Sequence, residues 1–145
     1  MLPDFDENGF LPEGVWDCSV NELQKRFAVF RRSDQRLKLF AKLEQFLEEV
    51  LKTEWIEEII IDGSFVTDKD EPNDIDIILG LYANFKDAEI PFWTAKILAG
   101  NFLGKRYDFD VFVEIFDSPK HKKRLDFFQQ IKESEFRKGV VRLIL

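Results

Sequence analysis

Apolar residues along this chain follow two rhythms, and the alternation between them predicts its elements. Ser19-Val20-Asn21-Glu22 has the form of a capping box, with Ser at the N-cap and Glu three residues on. Val20, Leu23, Phe27 and Phe30 then recur at the 3–4 spacing of one buried helical face. Ser33-Asp34 restarts the pattern, and Leu37, Phe40, Leu43, Leu47, Val50 and Leu51 predict a longer amphipathic helix to about Lys52. The rhythm then shortens. Residues 58–62 form a β-branched run fit for a buried strand, and Pro72 closes a polar turn before a second strand over 74–82. A loop over 83–91 leads to a short helix over 92–98. Residues 107–115 alternate strictly, with Tyr107, Phe109, Val111, Val113 and Ile115 on one face and Asp108, Asp110, Phe112 and Glu114 on the other. A helix over 120–132 and a strand over 139–145 complete the order. The expectation is one α/β (α+β) domain over 19–145, a mixed sheet flanked by helices. Residues 1–18, rich in Pro, Gly and Asp, read as an irregular arm packed on it.

Composition narrows the chemistry. A chain of 145 residues with 16 phenylalanines can fill one real core. The single Cys18 excludes an internal disulfide and a Cys-based zinc site. The single His121 argues against a histidine metal site or a Ser-His-Asp hydrolase. No apolar run reaches the length of a membrane span, and Met1-Leu2-Pro3-Asp4 lacks a signal-peptide start, so a cytosolic protein without membrane partners is expected. The net charge of −7 disfavours broad non-specific nucleic-acid binding. Residues 119–145 nevertheless hold eight Lys/Arg against three Asp/Glu, and Lys120-His121-Lys122-Lys123-Arg124 reads either as a solvated helix start or as a phosphate contact.

Carboxylates must therefore carry any catalysis. Asp74 and Asp76 are two apart on a predicted strand, so they share a face and repel each other when ionised. A hard cation such as Mg²⁺ relieves that repulsion through oxygen ligands. The Gly63-Ser64 turn offers backbone N–H groups suited to phosphate oxygens. If the three strands are neighbours, Asp110 or Asp108 joins the pair, and three carboxylates can hold one or two ions.

In this order, an apolar strand, Gly63-Ser64, a spacer, Asp74-Ile75-Asp76-Ile77 and later Phe109-Asp110-Val111, the chain resembles the polymerase-beta-type nucleotidyltransferase superfamily. Within it, Gly63-Ser64-Phe65-Val66-Thr67 with Lys69 and Pro72-Asn73-Asp74-Ile75-Asp76 is similar to an uncharacterised bacterial group of small, minimal nucleotidyltransferase-like proteins. Leu11-Pro12-x-Gly14, the region of Arg36 and Lys138-Gly139-Val140-Val141 extend that similarity over nearly the whole chain. The resemblance implies that Gly63, Ser64, Thr67 and Lys69 bind nucleotide phosphates, and that Asp74, Asp76 and Asp110 are the metal-binding and catalytic carboxylates, with Asp108 the substitute for Asp110. It implies Mg²⁺ or Mn²⁺ as cofactor and an NTP, with ATP favoured, as donor of a nucleoside monophosphate to a hydroxyl on protein, RNA or a small molecule. The alternative is a catalytically inactive binding module, for example a partner in a toxin–antitoxin or defence system. Two features depart from the pattern. Phe65-Val66-Thr67 follows Gly-Ser where many minimal members carry a small-basic-glycine sequence, and Asp62 stands where an apolar residue is usual.

Overall fold

A computed structural model describes residues 1–29 and 33–145; the expected helical position Phe30 lies outside them. The elements in chain order are β1 (Gly14–Cys18), α1 (Val20–Leu23), α2 (Asp34–Leu51), β2 (Ile56–Asp62), β3 (Asp76–Leu81), α3 (Phe92–Ile97), α4 (Phe102–Tyr107), β4 (Asp110–Ile115), α5 (Pro119–Phe128) and β5 (Gly139–Leu143). The five strands form one mixed sheet in the order β1-β5-β2-β3-β4. Its outer pairs β1–β5 and β3–β4 are parallel, and its inner pairs β5–β2 and β2–β3 are antiparallel. The mixed α/β class expected from the sequence is the observed one. No helix among the described residues is long and apolar enough to cross a membrane.

Period-two patterning decides which face each strand residue serves. Ile59, Ile61, Ile77, Leu79, Val141 and Leu143 point into the large core with Leu39, Phe40, Leu43, Phe46, Leu47 and Val50 of α2. Ile60, Ile78 and Val140 point the other way, into a smaller cluster with Phe112 and with Leu125 and Phe128 of α5. A buried pair pins α5 to this second face. His121 Nδ1 accepts from the Asp117 N–H at 3.3 Å, so Nε2 carries the proton that it donates to Glu58 Oε1 at 2.7 Å. His121 thus drops out of the basic cluster and anchors the helix instead.

Several local expectations needed correction. The arm is not irregular throughout, because residues 14–18 pair with β5 as an edge strand, with Trp16 Nε1 donating to the Pro12 carbonyl at 2.8 Å. Ser19 caps α1 as expected, but the Glu22 carboxylate accepts from the Leu2 N–H at 2.8 Å rather than closing the box. The helix widens at once into a π turn over Gln24–Ala28. In α2 the buried stripe runs through Arg36, Leu39, Phe40, Leu43, Phe46, Leu47 and Val50, leaving Leu37 and Leu51 exposed. The second strand starts at Asp76, and the helix over 120–132 stops at Phe128. The third strand starts at Asp110 rather than at Tyr107, which ends the unforeseen helix α4. Asp108 is that helix's left-handed C-cap with φ 57°. Tyr107 and Phe109 mimic the strand alternation because both are buried against Phe46 from a turn.

One side chain ties α2 to the loop after β2. Arg36 is fully buried, and its guanidinium donates to the carbonyls of Phe27, Phe65, Thr67 and Lys69 at 2.5–3.0 Å. Charge-assisted hydrogen bonds to four carbonyls offset the cost of burying the cation. Replacing Arg36 by Met is expected to leave those carbonyls without a donor and to lower stability by about 3–5 kcal/mol. Urea unfolding of the variant checks this; a loss under about 1 kcal/mol would mean the loop holds itself.

Candidate active site

Strand register builds the acidic centre. Asp62 is the partner of Asp76 in the β2–β3 ladder, and Asp76 is the partner of Asp110 in the β3–β4 ladder. Paired residues on neighbouring strands point to the same face, with strands about 4.8 Å apart. Asp62, Asp76 and Asp110 therefore form a row across the end of the sheet, on the α5 face but beyond the end of that helix. Asp74 lies two residues before Asp76 in extended chain that has not yet joined the ladder.

Asp74 is held by the Gly63-Ser64 turn. Its Oδ1 accepts from the Ser64 N–H at 3.1 Å and from the Ser64 hydroxyl in a very short contact. Gly63 has φ 93°, and a Cβ there would sit 2.8 Å from the Asp74 carbonyl oxygen, so only glycine lets the two loops meet. The turn's amides are not free, contrary to the expectation of an open phosphate cradle. Phe65 N–H donates to the Asp74 carbonyl, Val66 N–H to Gly63 and Thr67 N–H to Ser64. The Thr67 hydroxyl caps the turn through the Ser64 carbonyl at 2.7 Å. Lys69 has its carbonyl fixed by Arg36 while its side chain lines the cleft.

Two residues not singled out from the sequence as site members complete the centre. Asp62 is buried, and Lys138, at the entry to β5, donates to both of its carboxylate oxygens at 2.7 and 2.8 Å. The sequence signals were present in each: an aspartate ending an isoleucine run, and a lysine opening the last strand. Their pairing across 76 residues was not legible.

Two adjoining lobes open onto this row. One, about 600 Å³, lies against Gly63, Ser64, Thr67, Lys69 and Asp74. The other, about 640 Å³, has Asp62 and Asp110 at its end and Phe112, Phe127 and Phe128 along its floor. Asp76, Lys132 and Lys138 belong to both, so the lobes meet at the middle of the acidic row. The structure brings together every expected site residue around these lobes, with Asp110 and not Asp108 in the row. Trp93 is exposed and lines neither lobe.

Electrostatics single out Asp76. Burial pushes its carboxyl up from 3.8 to about 7, the carboxylates of Asp74, Asp62 and Asp110 push the same way, and Lys138 opposes them. For Asp62, burial raises the carboxyl and Lys138 draws it back. Asp76 Oδ1 is buried without a hydrogen-bond partner. A buried acceptor with no donor, among oxygen-only ligands, fits a hard divalent cation such as Mg²⁺ or Mn²⁺. Among the described residues no three His, Cys, Asp or Glu side chains are grouped so that they could together hold a metal ion. Asp74 instead takes its hydrogen bonds from Ser64.

The fold and the site together define a small mixed α/β domain with an acidic, two-lobed cleft at one end of its sheet. The chain belongs to the family of unknown function DUF6932, whose model matches residues 3–144. No curated protein and no solved structure matches it.

Two measurements follow from this crowding. Because the folded chain keeps the Asp76 proton up to about pH 7 while the unfolded chain loses it near 3.8, stability falls as pH rises between those values. Asp76→Asn is expected to exceed wild type in stability by on the order of 1–2 kcal/mol at pH 8, after discounting for solvent screening, with most of that margin gone at pH 3.8, the unfolded value. Urea titrations at both pH values check it, and a pH-independent difference refutes the crowding. Gly63→Ala is expected to cost about 2 kcal/mol or more, from its positive φ and the Asp74 collision, read as a lowered melting temperature.

Proposed function

We propose that this domain is a divalent-metal-dependent nucleotidyltransferase that moves a nucleoside monophosphate from an NTP, ATP favoured, to a hydroxyl on a protein, RNA or small-molecule acceptor. The observation that carries the reading is the in-register placement of Asp76 and Asp110 beside the Ser64-held Asp74, at the junction of the two lobes. It adds to the resemblance of the Gly63-Ser64 and Asp74-Ile75-Asp76 motifs to the polymerase-beta-type superfamily.

In this reading the donor triphosphate occupies the lobe of Gly63, Ser64, Thr67 and Lys69, and the acceptor enters over Phe112, Phe127 and Phe128. Asp74, Asp76 and Asp110 would hold Mg²⁺ or Mn²⁺, and the ion would neutralise charge building on the phosphate. Ser64 orients Asp74 through its N–H and hydroxyl, both of which donate to that carboxylate. The acceptor oxygen attacks the α-phosphorus in line and forms the new P–O bond. The bond to the bridging oxygen breaks, pyrophosphate leaves, and the acceptor proton passes to the Asp110 carboxylate.

Incubating the protein with Mg²⁺, radiolabelled NTPs and cell lysate tests the reading, with label expected on one acceptor class. Asp76→Ala and Asp110→Ala are each expected to reduce transfer by about a thousandfold or more, since losing an inner-shell carboxylate costs several kcal/mol of barrier. Asp108→Gly, which keeps the left-handed cap, is expected to transfer at the wild-type rate. Absence of labelling from every NTP would favour the inactive binding module, and a dead Asp108→Gly would exchange the two aspartates' roles.

A further inference from the structure

The centre has an anion problem that its motif does not solve. Four aspartates crowd the junction, the Val66 and Thr67 amides are bonded within their own turn, Phe65 N–H is bonded to the Asp74 carbonyl, and Ser64 N–H is bonded to the Asp74 carboxylate. Lys69, the cation nearest in sequence, extends from an exposed turn position, and only its backbone is fixed. A polyphosphate entering here needs a cation at a defined place.

Lys138 is held at such a place. Its side chain is 14% exposed, against 5% for the Asp62 carboxylate that grips it. It lines both lobes, alongside Asp76. An ammonium carries three N–H donors, and the two oxygens of Asp62 occupy two of them. A third remains for an anion at the junction. The tether also removes the rotamer entropy that a free lysine loses on gripping a ligand. The two departures noted in the sequence thereby become one device: the aspartate ending β2 holds in place the cation that the turn after Gly-Ser lacks.

We propose that Lys138, positioned by Asp62, is the phosphate-binding cation of the cleft and takes a phosphate oxygen of a polyphosphate ligand where the two lobes meet. This rests on the transferase reading for the identity of the physiological ligand, but not for the contact itself.

Calorimetric titration of the full chain with inorganic tripolyphosphate in Mg²⁺ buffer tests it. Wild type is expected to bind, Lys138→Met to bind about 10- to 100-fold more weakly, and Lys138→Arg to recover most of the loss. Lys120→Met, at a lysine that lines neither lobe, is expected to change affinity by no more than about threefold. Lys138→Met alone strands a buried carboxylate and can fail to fold. The double variant Asp62→Leu/Lys138→Met replaces the ion pair with apolar side chains, and a cooperative melt establishes its folding. If that double variant folds and binds tripolyphosphate as tightly as wild type, Lys138 is only the counterion of Asp62 and the proposal falls. Lack of binding by wild type, or as large a loss in Lys120→Met, overturns it equally. Lys138-dependent binding in a protein that transfers nothing removes the transferase reading and leaves this one standing. Undiminished transfer by Lys138→Met does the reverse.

Discussion

The cleft depends on a buried cation that never faces it. The Arg36 guanidinium collects the carbonyls of Phe27, Phe65, Thr67 and Lys69, and so fixes the π turn after α1 and the loop after β2 to one helix. That loop, residues 63–75, is anchored in the core by Phe65, Val66 and Ile75 and to the arm by Asp68 N–H on the Gly9 carbonyl, and Arg36 fixes the backbone of Phe65, Thr67 and Lys69 between those anchors. Its path determines where Gly63 meets Asp74, and hence whether Asp74 stands beside Asp76 or swings into solvent. A hydrophobic residue at position 36 would satisfy the helical stripe equally well. The arginine serves loop geometry rather than core volume.

Patterning made the frame legible because burial on a sheet or helix leaves a periodic trace. The isoleucines of β2 and β3, the stripe of α2 and its Ser33 cap were all readable. Where side chains are buried from irregular backbone, period two and period 3.6 lose their meaning. Tyr107 and Phe109 continue the β4 alternation from the end of a helix and its turn, and Asp108 gained a strand-like look from being their spacer. Residues 14–18 hid among turn formers, and their strand identity rests on pairing with β5, far away in sequence.

The same division runs through the site. Asp74, Asp76 and Asp110 could be picked out because local motifs mark them, and the register places two of them side by side. Asp62 and Lys138 could not be paired, since nothing local to either names the other. What the sequence suggested about the Gly63-Ser64 turn was its sharpness, not the destination of its amides. Those hydrogen bonds are settled by the approach of Asp74, a tertiary event. An acidic row with one tethered ammonium is thus a compromise between ladder register, which stacks like charges, and a single long-range contact that relieves them.

Strand order has a consequence for how this molecule comes into being. β5 is the latest strand in chain order, yet it lies inside the sheet, between β1 and β2. β1 pairs with β5 alone, so an early segment must wait, unladdered, for a late one. Local hairpin-like pairing of β2 with β3 can proceed meanwhile, but it stacks Asp62 on Asp76 with no ammonium at hand. Arrival of β5 fills the gap in the sheet and delivers Lys138 in the same step. The acidic row is therefore complete only in the complete sheet, because the strand that fills the gap between β1 and β2 also carries in Lys138 at its entry.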